Sequence, residues 1–175
     1  MRLFIGIPVP DSTRSLMADE VEKIYQRCRG NYSEPELYHI TIAFLGEKTA
    51  SDVPLIRKAM QKAADATSCF DVALDSLGFF SSPSSATLWW GIKSNPELER
   101  LASGIREELS SSLIEFDDKP FWAHITLGRR IDLKRIMLRD IDVPKLSFKA
   151  QSAVLFESLR QDGQLVYRPL ETIDF

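Results

Sequence analysis

Histidine and cysteine are both scarce in this chain, with two of each among 175 residues. Cys28 and Cys69 lie far apart and in no metal-binding spacing. They read as reduced, half-buried thiols of a cytosolic protein, with a redox pair as the weaker alternative. No apolar run approaches the roughly 20 residues of a membrane span. The apolar opening MRLFIGIPVP is short and broken by Pro8 and Pro10. It has neither the long apolar segment nor the small-residue cleavage site of a signal peptide. Positive charge is not in excess either: 22 Lys and Arg against 25 Asp and Glu give a net charge of −3. That excludes coating of nucleic acid through bulk charge, which needs clustered cations over many phosphates. It leaves room for one phosphate held in a local pocket. A cytoplasmic monomer with no membrane contact is expected.

What is present suits one domain, residues 1–175, made of two lobes. Hydrophobic residues make up 44% and charged residues 27%, an ordinary globular balance. A chain of this length removes roughly 70% of its unfolded surface from water, enough for a real core. Strands are expected at 2–8, 37–45, 70–80, 86–92 and 121–128, with a closing hairpin of roughly 147–158 and 164–174 that turns at Asp162-Gly163. Helices are expected at 11–29, capped by Asp11 or Ser12, at 51–66, capped by Ser51 or Asp52, and at 95–111, capped by Asn95 with Pro96 next. A short helix is expected near 132–139. Strand, helix and a strand beginning near a histidine follow one another in each half, the pattern of an internal duplication.

Both histidines sit in one phrase, HITI at 39–42 and HITL at 124–127. Successive strand side chains point to opposite faces. His39, Thr41 and Ala43 should therefore share one face, and Ile40, Ile42 and Phe44 the other. In the second copy His124, Thr126 and Gly128 oppose Ile125 and Leu127. The aliphatic face belongs in a core, and the His/Thr face looks into the space between lobes. Two imidazoles suit acid–base chemistry near neutral pH, one taking a proton from water and the other giving one to a leaving oxygen. The two hydroxyls can donate to an oxyanion between them. A bell-shaped pH profile with apparent values on either side of neutrality is expected. A metal site would want a third ligand, and no acid or cysteine shares these faces.

Paired His-x-Thr-x motifs resemble those of the two-histidine (2H) phosphoesterases, and the match is most like the RNA 2′,3′-cyclic phosphodiesterases, also called 2′-5′ RNA ligase-like proteins. The resemblance runs through MRLFIGIPVP, PELYHITIAFLGE, GFFSSPSSATLWWGI, PFWAHITLGR and LFESLRQDGQLVYRPL. It implies a bilobal, pseudo-symmetric α+β fold, two antiparallel sheets facing a central cleft with helices outside. It implies hydrolysis of a 2′,3′-cyclic phosphate to a 2′-phosphomonoester with no metal or other cofactor. His39 and His124 would be the catalytic pair, Thr41 and Thr126 would bind phosphate, and Arg129 matches a basic residue after the second motif. Tyr32 stands in the segment where relatives often carry Trp.

Further substrate contacts are expected from Arg129 or Arg130. Strict alternation puts Arg130 on the His face, whereas a bend at Gly128 would favour Arg129. Trp89 and Trp90 face opposite ways, so one is core and the other can stack on a base. Phe79, Phe80, Trp122 and Tyr167 are further stacking candidates, and for each of the four a core role is the simpler reading. The charged run 134–140 reads as a solvated helix face that extends a positive rim. The partners expected are RNA ends or small nucleotides carrying a 2′,3′-cyclic phosphate. The rival readings are action on 2′-5′ linkages, by cleavage or ligation, or on ADP-ribose cyclic phosphate, and a non-catalytic module that grips RNA ends.

Overall fold

In a computed structural model, which describes residues 1–134 and 136–175, nine strands form one antiparallel sheet and three helices pack on it. The strands are β1 (Arg2–Pro8), β2 (Asn31–Tyr32), β3 (His39–Glu47), β4 (Phe70–Phe80), β5 (Ala86–Ile92), β6 (His124–Ile131), β7 (Ser147–Ala150), β8 (Ser152–Gln161) and β9 (Gln164–Asp174). The helices are α1 (Asp11–Tyr25), α2 (Val53–Ala64) and α3 (Pro96–Ser111). The strand order is β7-β4-β5-β6-β3-β1-β8-β9, with β2 also paired to β6. The fold is therefore α+β and antiparallel, as expected. No helix among the described residues is long and apolar enough to cross a membrane.

The sheet is strongly curled, and the chain path requires it. β7 lies at one end of the strand order and β8 near the other, yet only Gln151 separates them. Two distant edges must therefore approach within one residue of each other. Phe175 helps to hold them there: its N–H donates to Gln151 O, and its ring stacks on Phe70 at 5.6 Å. The single strand expected at 147–158 is thus two strands that serve different neighbours, β4 and β1. The two expected sheets are the halves of this curl. They join at one residue pair, Ile40 with Ile125. Ile40 and Ile125, both 0% exposed, lie in the same core as the buried stripes of all three helices.

The element ends differ from the sequence expectations for local reasons. α1 stops at Tyr25, where the chain turns so that Arg27 and Cys28 both donate to Ile24 O. Neither Asp11 nor Ser12 caps it, because the flanking position is Pro10. Asp52 does not cap α2, since its carboxylate already accepts from the backbone N–H and hydroxyl of Thr49. Asn95 does cap α3, accepting from Leu98 N–H at 3.0 Å. A 3-10 turn at Pro35–Leu37 delays β3 to His39. β6 starts only at His124 and runs on to Ile131. In place of a helix near 132–139 there is a 3-10 turn at Leu138–Asp140, and Arg135 of that run lies outside the described residues. The closing hairpin turns at Asp162 (φ 51°) and Gly163 (φ 82°), the pair of positive angles a tight two-residue connection needs. Cys28 is buried and Cys69 exposed, so neither free thiol is half-buried.

Candidate active site

The two motif strands lie side by side in the middle of the sheet. Ile40 pairs with Ile125, and each is the second residue of its motif. Carrying that antiparallel register one residue each way sets His39 across from Thr126 and Thr41 across from His124. The two isoleucines point into the core, so by alternation the two histidine and two threonine side chains emerge on the other face. Each of the four is partly buried, while Ile40, Ile42, Ile125 and Leu127 are buried. A local two-fold relation between the motif copies passes through the isoleucine pair.

Immediately beyond each threonine the strand bulges, and the bulge changes which side chains reach the site. On β1, Ile5 pairs with Ala43 and Gly6 with Thr41, which leaves Ile42 as the extra residue. On β5, Leu88 pairs with Gly128 and Trp89 with Thr126, which leaves Leu127 extra. An extra residue reverses the facing of everything after it. Ala43 and Gly128, expected beside the threonines, are instead buried. Phe44, expected in the core, is 47% exposed. Arg129 occupies the equivalent place in the second copy and is also exposed. Its positive charge acts on His39, His124 and Tyr167 alike. Arg130, the choice of strict alternation, falls at a second irregularity with φ 55°, and its charge does not figure at either ring.

The imidazoles are held in matching ways. His39 Nδ1 lies 2.7 Å from Leu37 O and His124 Nδ1 2.6 Å from Trp122 O. A carbonyl only accepts, so each Nδ1 carries the proton and each Nε2 is left with its lone pair when the ring is neutral. His39 Nε2 sits 2.8 Å from Thr41 Oγ1, where the hydroxyl donates to it. Desolvation pushes His39 down to about 4, against the opposing bond to Leu37 and helped by the charges of His124 and Arg129. His124 is lowered too, by desolvation first, then Arg129, with its bond to Trp122 opposing. Both rings are thus shifted to the same side of the usual histidine value rather than apart, because their setting is dry and Arg129 adds positive charge. Gly6 makes room for the first ring: a Cβ there would come within 3.1 Å of His39 Cδ2. Among the described residues, no cluster of three or more His, Cys, Asp or Glu is placed to hold a metal ion.

Comparison with known proteins gives this arrangement a family. The family model "LigT like Phosphoesterase" matches residues 7–90. An RNA 2′,3′-cyclic phosphodiesterase of Archaeoglobus fulgidus is 32% identical over 130 residues, covering 74% of this chain and 72% of the relative. The chain belongs to the LigT-like phosphoesterases. Another RNA 2′,3′-cyclic phosphodiesterase, of Thermotoga maritima, is 26% identical across 100% of this chain and 96% of its own length. The crystal structure of E. coli LigT complexed with 3′-AMP shares the fold, with a TM-score of 0.82 at 24% identity over 99% of this chain and 97% of that one. This LigT-like protein is accordingly an enzyme acting on phosphate esters.

Aromatic rings flank both histidines of the LigT-like site. Phe4 lies 4.8 Å from the His39 ring, Tyr167 meets it edge-on at 5.2 Å, and Phe156 is at 6.3 Å. Around His124 stand Phe80 at 5.2 Å, edge-on, and Trp89 at 6.2 Å. Trp89 is thus the member of its pair on the site face. Trp90 is 0% exposed in the core, its Nε1 donating to Asp75 O at 2.8 Å. Tyr32 lies elsewhere, its hydroxyl donating to Cys28 O at 2.9 Å. Phe79 and Trp122, at 39% and 62% exposed, are not core either. Phe4, Phe156 and Phe44 escaped the sequence reading. For Phe44 a signal was present: it stands five residues after His39, as Arg129 stands five after His124.

Proposed function

We propose that this LigT-like enzyme is an RNA 2′,3′-cyclic phosphodiesterase that opens the cyclic phosphate to a 2′-phosphomonoester. The observation that carries the reading is the pairing of Ile40 with Ile125, which sets two imidazoles and two hydroxyls on one face. The names of the A. fulgidus and T. maritima relatives support the same substrate class. In this reading Thr41 and Thr126 donate to the non-bridging oxygens and Arg129 balances their charge. Thr41 releases His39 Nε2 when its hydroxyl turns to the phosphate. His39, the ring held down to about 4, stays neutral and takes a proton from water as the water oxygen bonds phosphorus. His124, whose Nε2 has no hydrogen-bond partner among the described residues, is protonated once the anionic diester arrives. It passes that proton to O3′ as the P–O3′ bond breaks. The products are a 3′-hydroxyl and a 2′-phosphate, and the two rings end with their proton states exchanged.

The test is incubation of the purified protein with 2′,3′-cyclic AMP in the presence of EDTA, with the product's phosphate located by phosphorus NMR. Formation of the 2′-phosphate at an undiminished rate supports the reading. A 3′-phosphate product reverses the assignment of the leaving oxygen. A rate abolished by EDTA and restored by a divalent ion overturns the metal-independent mechanism. No turnover of any cyclic phosphate, with binding of RNA ends intact, leaves the binding-module reading in its place.

A further inference from the structure

A groove of about 400 Å³ opens beside the strand that carries His124, with Trp89 and Trp122 among its lining. Its walls are the β4 bend at Asp75 and Ser76, the start of α3 at Ser94 and Asn95, and residues 121–123, which lead into His124. Two of its walls are the indoles of Trp89 and Trp122, whose centres lie 6.4 Å apart. Trp122 is 62% exposed, the largest side chain left uncovered near the site. Trp89 Nε1 is buried with no hydrogen-bond partner among the described residues. Lys93 is the only cation among the lining residues.

We infer that this groove receives the nucleotide next to the one that carries the cyclic phosphate, so that the enzyme favours RNA ends over mononucleotides. The inference rests on the cyclic phosphodiesterase reading above. Its chemistry is that of single-strand recognition, in which a base stacks on an exposed aromatic face and a cation meets the linking phosphate. The groove reaches Ala123, the residue before His124, and Gly91, which pairs with His124 across β5 and β6, so it adjoins the ring that serves the terminal phosphate. Asp75 and Glu99 line it as well, so a free phosphate is a poor occupant and a neutral base with its ribose is a better one. A base acceptor that reached Trp89 Nε1 after a small tilt of the indole would satisfy a donor that has no partner among the described residues. The terminal base has its own surface in Phe80, 40% exposed beside His124.

The experiment compares 2′,3′-cyclic AMP with the dinucleotide ApA ending in a 2′,3′-cyclic phosphate, for the native enzyme, Lys93→Ala and the groove-filling Ser76→Tyr. The native enzyme should show a kcat/KM on the dinucleotide about 5- to 100-fold higher, the range of one base–aromatic stack. Ser76→Tyr should remove that advantage and leave the mononucleotide unchanged. Lys93→Ala should reduce it and flatten the salt dependence of the dinucleotide by roughly 0.7 in log–log slope, the loss of one phosphate contact on a single strand. Equal losses on both substrates would overturn the inference, because the groove would then hold the terminal base. No preference for the dinucleotide would overturn it as well. Binding separates this failure from failure of the hydrolytic reading. Plain ApA, which cannot turn over, should quench tryptophan fluorescence in the native protein more strongly than AMP and lose that excess in Trp122→Ala. Equal quenching by ApA and AMP would overturn the inference whether or not the protein hydrolyses anything.

Discussion

Gly78→Ala tests how tightly the aromatic surface beside His124 is built. Gly78 pairs with Trp89 across β4 and β5, and the indole lies over its α-carbon. A Cβ at Gly78 would fall 2.1 Å from Trp89 Cη2, 2.3 Å from Cζ2 and 2.6 Å from Cζ3. Ordinary carbon contacts begin at about 3.5 Å, so the ring must retreat by roughly 1.4 Å. Its retreat is hemmed in by Phe80 at 5.3 Å, His124 at 6.2 Å and Trp122 at 6.4 Å. Overpacking of this kind costs about 1–3 kcal/mol. Replacing glycine also lowers the entropy of the unfolded chain, which returns about 0.5–1 kcal/mol. The net loss is about 0–2.5 kcal/mol, or a Tm lowered by up to about 10 °C for a chain of this length. Thermal unfolding followed by circular dichroism measures it, and tryptophan fluorescence reports the ring's displacement. Adding Trp89→Leu should remove the clash, giving a coupling of opposite sign in a double-mutant cycle. A Gly78→Ala protein that melts higher than the native one would refute the reasoning, because the entropy gain alone would then remain.

His39→Ala and His124→Ala should each lower kcat by about 100-fold or more while keeping the native circular dichroism spectrum, and near-native turnover in either would remove that ring from the mechanism. The free enzyme should show a bell-shaped kcat/KM with its optimum on the acid side of neutrality, the two apparent values belonging to the coupled pair. Activity falls below about 4 as the base His39 becomes protonated. It falls again at higher pH as His124 loses its proton below the usual histidine value, so an optimum above pH 7 would contradict the assignment. The same depressed values mean that the unfolded chain binds these protons first, so stability should decline as pH drops from about 6.5 through about 4, measured as Tm against pH. Leu113→Gly should raise Tm by about 1–4 °C, the equivalent of roughly 0.5–1 kcal/mol. Leu113 holds φ 57° after α3 and is 89% exposed, where Ile114 N–H closes back to Leu109 O, so glycine relieves strain without uncovering any core.

Local periodicity carried the sequence reading a long way. Strand alternation identified a His/Thr face and an aliphatic face in each motif, and the first three residues of both copies obey it. β4 and β5 stand at the expected residues, the turn at Asp162-Gly163 stands where turn chemistry puts it, and Asn95 caps α3 through a bond only three residues long. Each of these depends on neighbours a few positions apart, which is why a linear chain displays them. The bulges at Ile42 and Leu127 do not. They arise because β1 and β5 offer one residue where the motif strand offers two, and that mismatch exists only once the strands have paired. With them came the exposure of Phe44 and the burial of Ala43 and Gly128. The acidic shift of both imidazoles likewise needed the tertiary structure, since desolvation and the charge of Arg129 depend on what surrounds a ring in space. The split of one expected strand into β7 and β8 belongs to the same class: nothing within residues 147–158 says that the two edges they serve will curl to within one residue of each other.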